Sequence, residues 1–223
     1  MHRRTFLWLP ALAAGALNGC TGSPPGPPPS PFSRSRLIDG LEALRQMFEA
    51  KGQQVSAGLL AAVAEEDLRR RCAWFPAPLP DEILSLYAWR GGQANDTWDE
   101  PSPFLFRDCG FSSPATAERS YRAIMDSYGR DPPDDVLLRS AFPFAEFNGG
   151  WLVVPTRPEG YRGLQRPVIS VHQGIDVWFH SMNAMVDTCL AWVSDPAWTN
   201  EGLPPDRELL IWRKYNPGIF GET

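Results

Sequence analysis

Histidine and cysteine are scarce in this 223-residue chain, with three of the first and four of the second. Beyond residue 20 the cysteines are Cys72, Cys109 and Cys189, spaced 37 and 80 residues apart. With no CxxC pair and no adjacent histidine pair, the ligands of a structural zinc site are missing. An odd number of thiols allows at most one internal disulfide with one thiol over, in any of three pairings, and buried unreactive thiols are the simpler reading. Basic residues are also in the minority: Lys plus Arg number 21 against 26 Asp plus Glu, a formal charge of −5. A phosphate backbone meets net repulsion, which excludes a nucleic-acid footprint. No apolar run approaches the roughly 20 residues of a membrane-spanning helix. There is no GxGxxG opening a helix, no Walker-type loop and no GxSxG, so nothing calls for a nucleotide cofactor or an α/β-hydrolase. What is present is 43% hydrophobic and 12% aromatic residues, enough for one sizeable core and unlike a disordered or fibrous chain.

The amino terminus reads as an address. Arg3 and Arg4 precede an apolar run from Phe6 to Leu17 interrupted by Pro10, followed by Asn18, Gly19 and Cys20; this is the pattern of a secretory signal. Arg3 to Leu7 resembles a twin-arginine export signature, and Leu17 to Cys20 resembles a bacterial lipobox, with Asn18 an uncommon residue there. The resemblance implies lipid attachment at Cys20, the only side chain able to form the thioether; the alternative is an ordinary cleaved signal beside a free cysteine. Residues 20–35 hold Pro24, Pro25, Pro27, Pro28, Pro29 and Pro31, which predicts an extended tether of about 3 Å per residue. Thr21 rather than Asp after the cysteine implies, for lipoproteins of this kind, a periplasm-facing place on the outer membrane. Removal of residues 1–19 takes two bases and no acid, leaving 19 bases, 26 acids and a charge of −7. Basic partners are then attracted, less so as salt rises.

From 36 to 223 the pattern predicts one α+β domain without βαβ alternation or repeats. Leu37, Ile38, Leu41, Leu44, Met47 and Phe48 mark one amphipathic helix, and Leu59, Leu60, Val63 and Leu68 suggest a second, closed by Arg69, Arg70 and Arg71 where cations complement the dipole. Asp81 to Arg90 reads as a short helix with a glycine cap at Gly91 and Gly92. Phe104 to Phe106 reads as a short strand. Ser113 and Pro114 open a helix that Gly129 ends, and Asp131 to Asp135 reads as a loop. Two hairpins follow: Ala141 to Phe147 with Trp151 to Val154 about Asn148, Gly149 and Gly150, then Pro167 to His172 with Ile175 to His180 about Gln173 and Gly174. Both faces of the first are apolar, so both are expected to be covered. Ser181 caps a helix from Met182 to Val193, and Arg207 to Tyr215 forms the last.

Several of these blocks, in this order, resemble the SUKH superfamily of Knr/Smi-type proteins: Leu79 to Gln93, Leu105 to Asp108, Phe142 to Val154, Pro167 to Ile169, Trp178 and Phe179 with the helix after them, and Trp212 to Gly218. Together they cover most of residues 37–218. The resemblance implies a central, mostly antiparallel sheet flanked by helices and a protein-binding, non-enzymatic role. Fungal relatives coordinate cell-wall assembly, and many bacterial relatives are immunity proteins that cap a toxin with an acidic surface. Most of those are cytosolic, whereas this chain carries an export address, so its expected target is a basic toxin acting in the periplasm. The family brings no catalytic residues.

A binding patch is argued from chemistry instead. Asp96, Trp98, Asp99 and Glu100 place three carboxylates around an aromatic in a loop, able to receive Arg or Lys of a partner while Trp98 anchors. A solvated loop with Trp98 turned into the core is the plainer alternative, and calcium would need a denser set of oxygens. Glu146 interrupts an apolar strand and needs exposure or a partner, or else serves as the acid of a hydrolase. His172 and His180 fall at opposite ends of a hairpin, about 17 Å apart, too far to share a metal. The eight tryptophans after residue 20 suit core packing, or an exposed row that stacks on sugars; the latter makes a cell-envelope module binding peptidoglycan or a wall-assembly protein the alternative function.

Overall fold

Periodicity of apolar residues sets the first helix. In the computed structural model, which describes residues 32–94, 104–106, 109–128, 134–157, 161–200 and 202–219, α1 (Arg34–Ala50) buries Leu37, Leu41, Leu44 and Phe48 on one stripe. The residues after it do not make the single second helix that their spacing suggests. A short α2 (Val55–Gly58) stops at its glycine, residues 59–64 run extended, and α3 (Glu65–Arg71) holds only Leu68 of the stripe. The extended piece is recruited by a distant one. Leu60 N–H donates to Gly92 O at 2.8 Å, Gly91 N–H to Leu60 O at 3.2 Å, Val63 N–H to Tyr87 O at 2.9 Å and Ala94 N–H to Gly58 O at 2.7 Å. The three arginines do close α3, paired within the helix: Arg69 with Glu65 at 2.8 Å, Arg71 with Asp67 at 2.7 Å, and Arg70 also with Asp67. Cations at the last turn and acids at the first suit the dipole.

α4 (Asp81–Trp89) is the innermost helix, with Ile83, Leu84, Leu86, Tyr87 and Trp89 buried. No glycine caps it. Arg90 is already extended at φ −150°, and the glycines serve a close approach instead. A Cβ on Gly91 would lie 2.4 Å from the Ala61 carbonyl oxygen; one on Gly92, at φ +113°, would lie 2.6 Å from Ser113 backbone atoms. Only glycine fits there.

Phe104 to Phe106 form no strand; Phe106 makes one isolated bridge to Cys109, and the sheet begins at β1 (Gly110–Phe111). α5 (Pro114–Tyr128) is capped as expected, Thr116 N–H donating to Ser113 Oγ at 3.2 Å. Gly129 and residues 131–133 lie outside the described residues, while Asp134 and Asp135 start α6 (Asp134–Leu138) rather than a loop.

The two expected hairpins form β2 (Ala141–Phe147) with β3 (Gly150–Pro155), and β4 (Val168–Val171) with β5 (Ile175–Phe179). Gly149 and Gln173 supply the positive φ at their turns, +78° and +54°. The sheet is antiparallel throughout in the order β1-β2-β3-β4-β5. Register gives it two apolar faces. Val153, Ile169 and Val177 lie side by side across three strands and pack with Ile124 of α5 and Leu137 and Leu138 of α6. Leu152, Val154, Val168 and Phe179 face the other way, toward α1, α4 and α7 (Met182–Ser194). Covering both faces is why these strands read as continuous apolar runs rather than alternating ones. Ser181 caps α7 by accepting from Ala184 N–H at 3.1 Å, and α8 (Pro205–Tyr215) closes the fold against it, the Trp192 indole N–H donating to Glu208 O at 3.1 Å. The described part is therefore α+β, one antiparallel sheet with helices on both sides. None of the described helices is long and apolar enough to cross a membrane.

One buried charge belongs to this frame. The Glu82 carboxylate, with its side chain 4% exposed, receives Arg166 Nη1 at 2.8 Å. Removing the cation leaves a carboxylate without compensation in a dry site, so Arg166→Ala is expected to cost about 3 kcal/mol. Replacing both as Glu82→Gln with Arg166→Ala is expected to cost less than the single change, which denaturant unfolding of the two variants beside the parent protein checks.

Candidate functional site

The four candidate residues of the acidic segment, Asp96, Trp98, Asp99 and Glu100, lie outside the described residues, as does Cys20; the described chain stops at Ala94 and resumes at Phe104. What the structure defines is how the two flanks of that segment are held. Gln93 is 4% exposed and sits where three segments meet. Its backbone N–H donates to Phe111 O at 2.8 Å. Its side-chain Oε1 accepts from Leu105 N–H at 3.3 Å and from Phe111 N–H at 3.0 Å. One residue, Gln93, thus joins the segment after α4, Leu105 on the far flank and the first sheet strand.

The neighbourhood is built to hold that amide. Leu59 bridges to Gln93 on the other side. Ser112 N–H donates to Phe144 O at 2.9 Å, and the Tyr87 hydroxyl donates to Ser112 O at 2.7 Å from a fully buried position. Burial pushes the Tyr87 phenol well above its ordinary value, chiefly by desolvation. Its ring lies 5.3 Å from that of Phe111, and Phe106 packs at 6.0 Å from Phe111 and from Phe144. Gln93 and Leu105 are therefore buried on an aromatic-walled platform. Gln93 closes the first of the SUKH-like blocks, but as a polar residue set against a Gly-Gly pair it gave no sign of this bridging role.

The other sequence candidates are dispersed. Glu146 on β2 is half-buried and accepts from the Ser120 hydroxyl at 3.1 Å, a neutral partner from α5 rather than an arginine. His172 Nδ1–H donates to Gly149 O at 3.1 Å, and His180 Nε2–H donates to Pro217 O at 2.7 Å. The β4–β5 register, Val168 opposite Phe179 and Val171 opposite Ile175, puts these histidines at opposite ends of the hairpin. Cys72, Cys109 and Cys189 are buried and form no disulfide with one another, and desolvation pushes the Cys72 thiol up to about 12, so it stays protonated. Among the described residues no cluster of three or more His, Cys, Asp or Glu is placed to hold a metal ion.

Tryptophans fill space between elements. Trp74 stacks on Phe142 at 5.7 Å, Trp178 on Phe147 at 5.2 Å, and Trp192 and Trp212 are buried. Trp151 is half-buried on β3. The described tryptophans do not form the open row that sugar stacking requires.

A second acidic group is spoken for. Glu42 receives Arg45 at 2.5 Å, and this, with weaker bonds from Gln46 and the Trp89 indole, pulls its carboxyl down to about 2. Glu49 is held by the same guanidinium at 2.6 Å. These carboxylates offer little free charge to a partner.

Neither a protein-family model nor a curated protein matches the chain.

Gln93→Leu keeps the bulk and removes the acceptor, leaving the Leu105 and Phe111 N–H groups without it. The expected loss is about 2 to 4 kcal/mol. Amide hydrogen exchange at Leu105 and Phe111 should accelerate by more than that at β3 or β4; equal acceleration everywhere would mean that Gln93 is only one more core residue.

Proposed function

We propose that this chain is a lipid-anchored, non-enzymatic binding protein of the SUKH kind, held at Cys20 on the periplasmic side of the cell envelope, where it neutralises an exported basic toxin by covering it. The observation that supports the reading is the Gln93 bridge, which joins the two flanks of the segment that holds Asp96, Trp98, Asp99 and Glu100. A binding loop gains most when its ends are already ordered, because less conformational entropy is lost on association.

The work divides by chemistry. A mature charge of −7 draws a basic protein in from a distance and speeds the encounter, by an amount that salt reduces. Asp96, Asp99 and Glu100 receive Arg or Lys of the partner. Trp98 supplies the apolar anchor that concentrates binding energy at the centre of such an interface. No bond is made or broken and no cofactor is used. Binding to peptidoglycan or to a wall-assembly protein is the competing function, and the buried or half-buried state of the described tryptophans gives it no support.

The mature protein, used as bait in its native envelope and washed at low and high salt, should retain one basic toxin encoded beside it. Retention of wall-synthesis proteins, or pelleting with purified sacculi, would overturn the reading in favour of the competing one. With the partner in hand, Asp96→Lys, Asp99→Lys and Glu100→Lys together should weaken binding about 100-fold and flatten its salt dependence. Unchanged affinity would remove this loop from the interface.

A further inference from the structure

The last helix turns apolar side chains to water. On α8, Leu209 is 41% and Leu210 67% exposed, while Glu208 and Trp212 on the opposite side are buried against the body. Arg213 and Lys214 stand three and four residues beyond Leu210 and so share its face. Both are exposed, and no ion pair to either is found among the described residues; the Lys214 ammonium rests over the Tyr215 ring at 5.4 Å. The remaining charges on the helix are Asp206, exposed in the first turn, and Arg207, held by Asp195 at 2.8 Å. In a chain whose mature charge is −7, this face carries two open leucines edged by cations.

Its position relative to the start of the domain adds a second constraint. At the beginning of α1, Arg36 is paired with Asp187 of α7 at 2.5 Å, and the next residue, Thr188, accepts from the Asn216 side chain at 3.1 Å, at the end of α8. The chain therefore enters the domain beside the end of α8 that carries Arg213 and Lys214. From Cys20 to residue 32 the backbone reaches at most about 40 Å. A lipid at Cys20 keeps this face near a membrane surface whatever the tether's path.

We propose that the outer face of α8 docks on an anionic lipid surface, with Leu209 and Leu210 entering the interface and Arg213 and Lys214 against the headgroup charges. This rests on the anchor at Cys20: a face of this size binds a bilayer only marginally, and a covalent lipid supplies the second signal that makes the contact persist. Docking would orient the domain on the membrane instead of leaving it to swing on its tether.

The test uses the processed, lipidated protein carrying Leu210→Cys labelled with the fluorophore NBD; the thiols of Cys72, Cys109 and Cys189 are buried and do not compete. It is inserted into vesicles of phosphatidylcholine, alone or mixed with phosphatidylglycerol, and flotation establishes that it is on them. The expected result is a blue shift and at least about a twofold rise in emission on the anionic vesicles only, reversed by salt and abolished by Arg213→Glu with Lys214→Glu. Equal emission on both vesicles, with the protein floating on both, overturns the docking and leaves the anchor standing. Protein that floats with neither shows that the anchor is absent and takes the docking with it. A shift that grows with protein concentration without lipid means that a second copy covers the face, which also overturns the proposal.

Discussion

The Gln93 side chain lies where a helix exit, a loop return and the first strand of the sheet converge, and its one oxygen satisfies two buried N–H groups that no strand partner reaches. Leaving a buried backbone donor unpaired costs about 1 to 3 kcal/mol, so this contact decides whether the segment after α4 can pass through the core. The surrounding geometry follows from it. Gly91 and Gly92 lack side chains because the backbone must run within touching distance of Ala61 and Ser113. Residues 59–64 run extended because they complete the pairing on the outer side of the same segment. Past β1, a backbone bond from Gln93 N–H to Phe111 O and an isolated bridge from Leu59 to Gln93 tie the helical part of the molecule to the sheet edge.

This arrangement separates rigidity from exposure. Tyr87, Phe106, Phe111 and Phe144 wall the platform, and the two-sided sheet holds it, since its apolar rows are covered by α5 and α6 on one face and by α1, α4 and α7 on the other. Several carboxylates in the body are engaged: Glu82 with Arg166, Glu42 and Glu49 with Arg45, Asp67 with Arg70 and Arg71. The acids of the 95–103 loop are set on the chain just beyond this frame, where the function proposed for them needs them.

Local chemistry was legible in the sequence wherever a turn or cap decides the outcome. Gly149 and Gln173 bend the hairpins, and Ser113 and Ser181 cap their helices as read. The pattern of α1, with apolar residues every three or four positions, also translated directly. Where a long-range partner decides, local reading failed. Leu59, Leu60 and Val63 sit at helical spacing, but hydrogen bonds to residues some thirty positions away claim their backbone. Phe104 to Phe106 have strand composition, yet the strand that pairs with β2 is Gly110–Phe111. The glycine pair after α4 looked like a cap because a cap and a close backbone approach require the same residue. Asp96, Trp98, Asp99 and Glu100 form a chemical pattern in the sequence and lie outside the described residues. The role of Gln93 was not legible, since a single glutamine gains its meaning only from the three segments that fold brings around it.

Hydrogen–deuterium exchange of the lipidated protein, alone and with its captured partner, tests the central claim that a clamped acidic loop is the binding element. The account predicts that the amides of Leu105 and Phe111 exchange slowly in both states, and that new protection on binding is concentrated in residues 95–103. Protection that arises elsewhere in the domain, with 95–103 unchanged, would contradict it.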